Sequence, residues 1–323
     1  MNNNDPITQP GERRCEHIIL DDSAIQALID KAMPGCSVAE LALLNNGKIN
    51  TNYRITMTNS DIVVLRLYAR DPLACSREAA LYSQLDGVIP VPQLICSETE
   101  PANNLSPYII YRWIHGELLA DACSSRALIP AKEIGKALGR MANITFKRAG
   151  FFDGQLNVAV PFDNVVDAWL NHMEDNLRVR SARRLGNVMT ARLLKCVDHH
   201  RSLLDEVKNS TNLTHCDFSP WNLVVKDGHL GAIIDWEWAS SGCGLADFGN
   251  LLREEEQYPT DFISELTTGY REAGAALPEE WKAISLLLDL VCQSDFLALK
   301  DDKPLVHKRA ILQVARTLAY FGF

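Results

Sequence analysis

The sequence predicts an α+β protein of two lobes, a small N-terminal lobe built on an antiparallel sheet and a larger, mostly helical C-terminal lobe. Three observations carry that expectation. The chain has 323 residues, more than a single hydrophobic core usually serves. Between Val38 and Tyr68 three strand-like runs follow one another with hairpin-type residues between them. From Ile129 onward, by contrast, apolar residues recur at helical spacing.

Taken in order, Asp21–Asp22–Ser23 supplies caps for a helix running to about Ala32. Strands are expected at Val38–Leu44, Thr51–Met57 and Ile62–Tyr68, with Asn46–Gly47 in the first connection and Asn59–Ser60–Asp61 in the second. Leu73–Leu85 (LACSREAALYSQL) reads as a helix that ends before Pro90 and Pro92, and two further strands are expected near Gln93–Ser97 and Tyr108–Trp113. After Gly116 the texture changes. Helices are expected over Ile129–Phe146, Val165–Arg178 and Met189–Val207. Two short apolar runs, Leu223–Val225 and Ala232–Ile234, then flank a turn at Lys226–Asp227–Gly228. The remainder returns to helix, roughly Asp261–Ala273, Glu279–Leu299 and Lys303–Tyr320. The lobes are expected to divide at residues 1–112 and 113–323.

Composition narrows the function. The net charge of −9 makes the chain a poor nucleic-acid binder, because phosphate contacts need a basic face; it suits a cationic small molecule. No run of eighteen apolar residues is present, so no membrane partner is expected. The opening MNNNDPITQPGERR lacks the apolar core of a secretory signal, which makes a cytoplasmic protein the expectation. None of the nine cysteines forms a C-x-x-C pair, as expected of free thiols in a reducing compartment. His199 and His200 read as a solvated helix face rather than a metal site.

The chemistry concentrates in LTHCDFSPWNLVV, Leu213–Val225, and in GAIID, which ends at Asp235. Asp217 and Asn222 are five residues apart, and Asp235 lies eighteen beyond Asp217. Taken alone, the Asp217–Asn222 pair reads first as loop capping. Asp235 at the end of an apolar run changes the weighting, because a strand end is rigid yet can face a cleft. A carboxylate on Asp235 and a carboxamide oxygen on Asn222 suit a hard cation such as Mg²⁺, which takes its other oxygens from water and from the phosphates of a nucleotide. Asp217 is then free to act on a substrate hydroxyl as base. The spacing matches the kinase catalytic loop, H-R-D-x-x-x-x-N followed by a metal-binding Asp.

On these residues, HCDFSPWNLVV…GAIIDWEWASSGCGLADFGNLL, together with TNYRI…VVLRLY…REAALYSQL and YIIYRWIHGELL in the first lobe, the chain resembles the aminoglycoside phosphotransferase and choline-kinase-like family of small-molecule kinases. The resemblance covers most of residues 40–250. It implies a protein-kinase-like bilobal fold with ATP and Mg²⁺ in the cleft and a small-molecule hydroxyl as acceptor. Carried over residue by residue, it implies Asp217 as catalytic base, with Asn222 and Asp235 as metal ligands. Arg66 would be the basic phosphate contact and Glu78 its helix partner. The loop Asn45–Thr51, with Asn46 and Gly47, would cover the phosphates, and the segment from Tyr111 through Trp113 to Gly116 would be the adenine hinge. Acceptors allowed by the resemblance include aminoglycosides, amino alcohols such as choline, ethanolamine or homoserine, and sugars; a silent nucleotide-binding scaffold is the alternative.

Some residues depart from the pattern. Asp247–Phe248–Gly249 spells the protein-kinase magnesium motif, but it stands thirty residues past Asp217, so Asp247 is expected to brace the catalytic loop instead. Cys216 stands where the family commonly has Gly, Arg66 where it often has Lys, and the phosphate loop holds one glycine, Gly47. His215 is expected to be structural, Trp236 and Trp238 to pack, and the acidic run Glu254–Glu256 to be a solvated helix face.

Overall fold

The computed structural model describes residues 13–45, 47–102, 105–125 and 127–323. Asn46, one of the expected phosphate-loop residues, lies outside them. The small lobe contains α1 (Asp22–Ala32), β1 (Val38–Leu44), β2 (Thr51–Met57), β3 (Ile62–Leu67), α2 (Pro72–Leu85), β4 (Leu94–Glu98) and β5 (Tyr108–Arg112). Its strands form one antiparallel sheet in the order β1-β2-β3-β5-β4. The Asp21 carboxylate caps α1 by accepting from the Ala24 N–H at 2.7 Å, and Asp71 caps α2 through Leu73 at 2.9 Å.

Alternation along β3 decides what each face of this sheet meets. Val63, Leu65 and Leu67 point to one side, where Ile25 and Ile29 of α1 and Ile55 and Met57 of β2 complete a small core. Val64, Arg66 and Tyr68 point to the other, where α2 packs with Ala79 and Tyr82. Arg66 therefore shares a face with Glu78 of α2 as a consequence of strand period.

The chain leaves β5 through residues 113–116 and enters the large lobe at β6 (Glu117–Leu118), followed by α3 (Leu119–Ser125), α4 (Ala131–Ala142), β7 (Gly150–Phe152) and β8 (Val158–Pro161). Next come α5 (Val165–Asn176), α6 (Ala182–Leu185), α7 (Asn187–His200), β9 (Asn212–Thr214), β10 (Leu223–Lys226), β11 (His229–Ile233) and β12 (Ser240–Gly242). The chain closes with α8 (Leu245–Leu251), α9 (Phe262–Glu272), α10 (Trp281–Ala298) and α11 (Pro304–Tyr320). The hairpin β10–β11 is joined by β6 into a three-stranded sheet, and β8-β7-β12-β9 form a second small sheet.

Several of these elements differ from expectation. The helix expected to reach Arg178 ends at Asn176 and passes into a π turn over Leu177–Ser181. The one expected to reach Val207 stops at His200, and a 3₁₀ turn follows. Strands β6 to β9 and β12 had no counterpart in the sequence reading, because segments of two to four residues are too short to display a period. At the end of α7 the His200 ring lies 4.4 Å from Phe321, so that residue packs where a solvated face was expected.

Helices α4 and α9 cross at unusually close range through glycine. A Cβ on Gly135 would stand 1.9 Å from the Leu266 carbonyl oxygen, and one on Gly269 would stand 2.0 Å from that of Lys132. Position matters here, because α4 also carries Glu133, which accepts from the Leu230 N–H at 2.8 Å and meets His229 Nδ1 at 2.8 Å. The helix pair thus holds β11 and the hairpin that leads to Asp235.

Candidate active site

The loop between β9 and β10 presents Asp217, and it is fixed from behind. Asp247, fully buried in the first turn of α8, accepts the backbone N–H of His215 at 2.8 Å and of Cys216 at 2.9 Å. The expected brace is observed, and the Asp-Phe-Gly spelling does not reach the cleft. Burial pushes the Asp247 carboxyl up to about 7 against the pull of those two donors. His215 is a second fastener. Its ring is buried, Nε2 lies 3.0 Å from the Ile234 carbonyl, and Nδ1 accepts from the Asp217 N–H at 3.2 Å. Burial lowers its pKa to about 4, so the imidazole is neutral, with the proton on Nε2. The buried Trp236 ring packs on it at 4.6 Å, while Trp238 is exposed. Cys216 adopts φ 66°, the left-handed conformation that favours glycine, and its Sγ sits 3.2 Å from Ser240 Oγ.

Asp217, Asn222 and Asp235 come together. Asn222 Nδ2 donates to the Asp217 backbone carbonyl at 2.8 Å and to its Oδ2 at 3.0 Å. The Asn222 carbonyl in turn accepts from the Ile234 N–H at 2.9 Å, which ties the start of β10 to the residue before Asp235. Asp235 takes φ 67°, a left-handed conformation that aspartate tolerates, and this turns the carboxylate out of the strand line. Burial raises the Asp217 pKa, and the neighbouring Asp235 charge adds to the rise; Lys48, Arg253 and Asn222 oppose it.

Arg66 reaches across from the small lobe. Its Nη2 pairs with Asp235 Oδ1, its Nε lies 3.1 Å from Glu78 Oε2, and Glu237 Oε2 is 3.9 Å away. Burial opposes the guanidinium charge, but Asp235, Glu78 and Glu237 outweigh it and hold it firmly protonated. Glu78 is fully buried and also accepts from the phenols of Tyr68 at 2.5 Å and Tyr82 at 2.6 Å. Gly47 lies in the loop between β1 and β2, whose carbonyls at Gly47, Ile49 and Asn50 accept from the Arg13 guanidinium. The Tyr111 side chain is buried in β5 against Tyr82, at 5.8 Å between rings. The Trp113 N–H is taken by the Ile62 carbonyl at 3.0 Å, so that donor is already committed.

Four residues enter the site that the sequence reading did not single out. Asn50 Nδ2 donates to Glu237 Oε2 at 2.7 Å across the cleft, and Lys48, Arg14 and Arg253 act electrostatically on Asp217 or respond to it. Lys48 had a signal, its place directly after Gly47; Arg14 and Arg253 are distant in sequence and had none. Among the described residues no group of three or more His, Cys, Asp or Glu is arranged to hold a metal ion. The donors present are those of a shared site. Asn222 turns its amide nitrogen to Asp217, which leaves its oxygen for a cation, and Asp235 uses one oxygen for Arg66. One carboxylate and one amide oxygen fit a hard divalent ion completed by phosphate oxygens and water.

Comparison with known proteins accords with this arrangement. The model of the phosphotransferase enzyme family matches residues 40–284. No curated protein matches the chain in sequence. Among solved structures, aminoglycoside phosphotransferase APH(4)-Ia superposes with a TM-score of 0.68 at 18% identity, covering 92% of this chain and 98% of that one. A thermostable mutant of the same enzyme, in ternary complex with AMP-PNP and hygromycin B, gives 0.65 at 17% identity over 93% and 99%. The GDP complex of aminoglycoside 2'-phosphotransferase-IIIa gives 0.71 at 16% over 94% and 100%. At these identities the structures show a shared fold, a sheet lobe joined to a helical lobe.

Proposed function

The chain belongs to the phosphotransferase enzyme family, and from that premise we propose that it transfers the γ-phosphoryl group of ATP to a hydroxyl of a small molecule, with Asp217 as the base. The observation that carries the reading is the convergence of Asp217, Asn222 and Asp235 beneath Arg66. Asn222 holds Asp217 Oδ2, and Oδ1 would take the proton of an incoming hydroxyl. As the acceptor oxygen forms its bond to phosphorus, its proton passes to Asp217, the bond to the bridging oxygen breaks, and ADP leaves. Mg²⁺, bound by Asn222 and Asp235 with the phosphates, would neutralise the charge on those oxygens. Arg66, fixed by Glu78, stands beside the α- and β-phosphates, the loop at Gly47 covers them, and the segment from Tyr111 and Trp113 to Gly116 lies along the adenine. We place the lobe boundary at residues 112 and 113.

The chain's net charge of −9 alone favours a cationic acceptor, the class hygromycin B represents in the similar structure. The charges within reach of Asp217 do not follow the net charge. Asp217→Asn, isosteric but not basic, is expected to lower turnover by about 10²–10⁴-fold with ATP affinity retained. The check is phosphoryl transfer from labelled ATP to a panel of hydroxyl compounds, beside ATP binding; wild-type turnover in the variant removes Asp217 from the role.

A further inference from the structure

The cleft holds cations that the transfer step leaves unused. The N-terminal segment brings one of them. Arg13 donates to the carbonyls of Gly47 at 2.6 Å, Ile49 at 3.0 Å and Asn50 at 3.1 Å, and the Arg14 N–H donates to the Lys48 carbonyl at 2.7 Å. At the start of α11, Lys303 Nζ donates to the Arg13 carbonyl at 2.9 Å. The segment is thereby fixed between the phosphate loop and the helical lobe. Arg14 extends to α10, where its Cζ lies 5.3 Å from the centre of the Phe296 ring, and Arg253 Cζ lies 5.6 Å from the same centre. Two guanidinium groups thus share one aromatic platform.

The Arg14 Nε is buried without a hydrogen-bond partner, and neither the Arg14 guanidinium nor the Lys48 ammonium has an ion-pair partner among the described residues. Arg253 is held by Asp289 Oδ1 through Nε at 2.9 Å and Nη2 at 2.6 Å. Asp217 is the carboxylate whose charge Arg14, Lys48 and Arg253 all feel. The other acids nearby are committed. Asp289 serves Arg253, Asn250 and Gln293; Asp295 serves His172 and Asn176; Glu255 pairs with Lys282, Glu256 with Arg316, and Glu237 with Asn50. Glu254 accepts from Gln257 at 3.2 Å and lines a small cavity with Trp221, and burial there favours its neutral form. The acidic run is therefore largely neutralised, and it forms no wall for a cationic ligand.

Arg14 and Lys48 are half-buried and the Arg14 Nε is closed off from water, so two unpartnered cations crowded at one cleft are costly unless an anion completes the site. Lys48, beside Gly47, is accounted for by nucleotide phosphate. Arg14, from the N-terminal segment, and Arg253, from the turn after α8, meet instead over Phe296 of α10, in the helical lobe. Resting on the kinase reading above, we infer that the acceptor carries an anionic group, a carboxylate or a phosphate, and that Arg14 and Arg253 hold this group over Phe296 while its hydroxyl faces Asp217.

The test is transfer from labelled ATP with Mg²⁺ by the full chain to two sets of acceptors: glycerate, gluconate and glucose 6-phosphate against glycerol, glucosamine, choline and hygromycin B. The anionic set is expected to show kcat/KM at least tenfold higher. Arg14→Ala is expected to raise KM for the preferred anion at least tenfold and leave KM for ATP within twofold, with partial rescue by Arg14→Lys. Three results overturn the inference: preference for the cationic set, a rise in KM for ATP alone, or faster turnover of a cation in Arg14→Ala, which would make the segment a plug. If no compound is phosphorylated, the kinase reading fails separately, and thermal shift of the ADP–Mg²⁺ complex by gluconate and glucose 6-phosphate decides. A shift lost in Arg14→Ala upholds the anion site, and no shift in the wild type overturns it.

Discussion

Asp217 is a carboxylate withdrawn from water beside a second carboxylate, and both effects lift its pKa above the ordinary aspartate range near 4. A base works only when ionised, so kcat/KM is expected to fall as pH drops through that raised value, earlier than for an exposed aspartate. Lys48 pulls in the opposite direction: its positive charge stabilises the ionised form. Lys48→Met removes that charge and is expected to move the acid limb of the profile to higher pH. The shift separates an electrostatic role from a structural one, because a merely loosened loop lowers the whole profile without displacing it. A limb that stays in place in Lys48→Met detaches Lys48 from the ionisation of Asp217.

At the scale of elements, the crossing of α4 and α9 is the feature most sensitive to a single methyl group. In an exposed helix Gly→Ala is stabilising by about 1 kcal/mol. Gly269 faces the Lys132 carbonyl too closely for a Cβ, so the helices must separate or bend. Gly269→Ala is expected to lower unfolding stability by about 2–3 kcal/mol, read from the urea midpoint at unchanged slope. Through Glu133 the displacement reaches β11, so turnover is expected to fall as well. A neutral or stabilised variant rules out the close crossing. No glycine in the sequence announces such a contact, since helical period says which residues face inward and not how near a neighbour comes. The small lobe was more legible: β1 and β2 have the expected bounds because alternation and turn residues both mark them. Segments such as Ser240–Gly242 become strands only because β7 and β9 flank them, a tertiary cause that local pattern does not contain.

Across the whole molecule, the lobes are latched where Asp235 and Glu237 meet the small lobe. Arg66 pairs with Asp235, Asn50 donates to Glu237 at 2.7 Å, and Arg77 Nη1 donates to the Glu237 carbonyl at 2.5 Å. The trio of Asp217, Asn222 and Asp235 could be read from spacing because all three lie within one short stretch of chain. Arg14 and Asn50 could not, since only the packing of one lobe against the other brings them near, and Arg253 is brought there by the fold of the helical lobe itself, held by Asp289 of α10. This latch makes metal binding measurable through stability. In the structure Arg66 holds one oxygen of Asp235; a divalent ion held by Asn222 and Asp235, as proposed, would compete with Arg66 for that carboxylate and would leave Arg66 to phosphate oxygen. ATP at a hundredfold over its Kd adds about 2.7 kcal/mol of stability, and the part that depends on the metal is removed by EDTA. Asp235→Asn is expected to lower the melting temperature of the free protein, because Arg66 then faces an amide. It is also expected to abolish the Mg²⁺-dependent increment while ATP alone still shifts the transition. An increment equal to that of the wild type would take Asp235 out of the metal site and, with it, the division of labour between Asp235 as metal ligand and Asp217 as base.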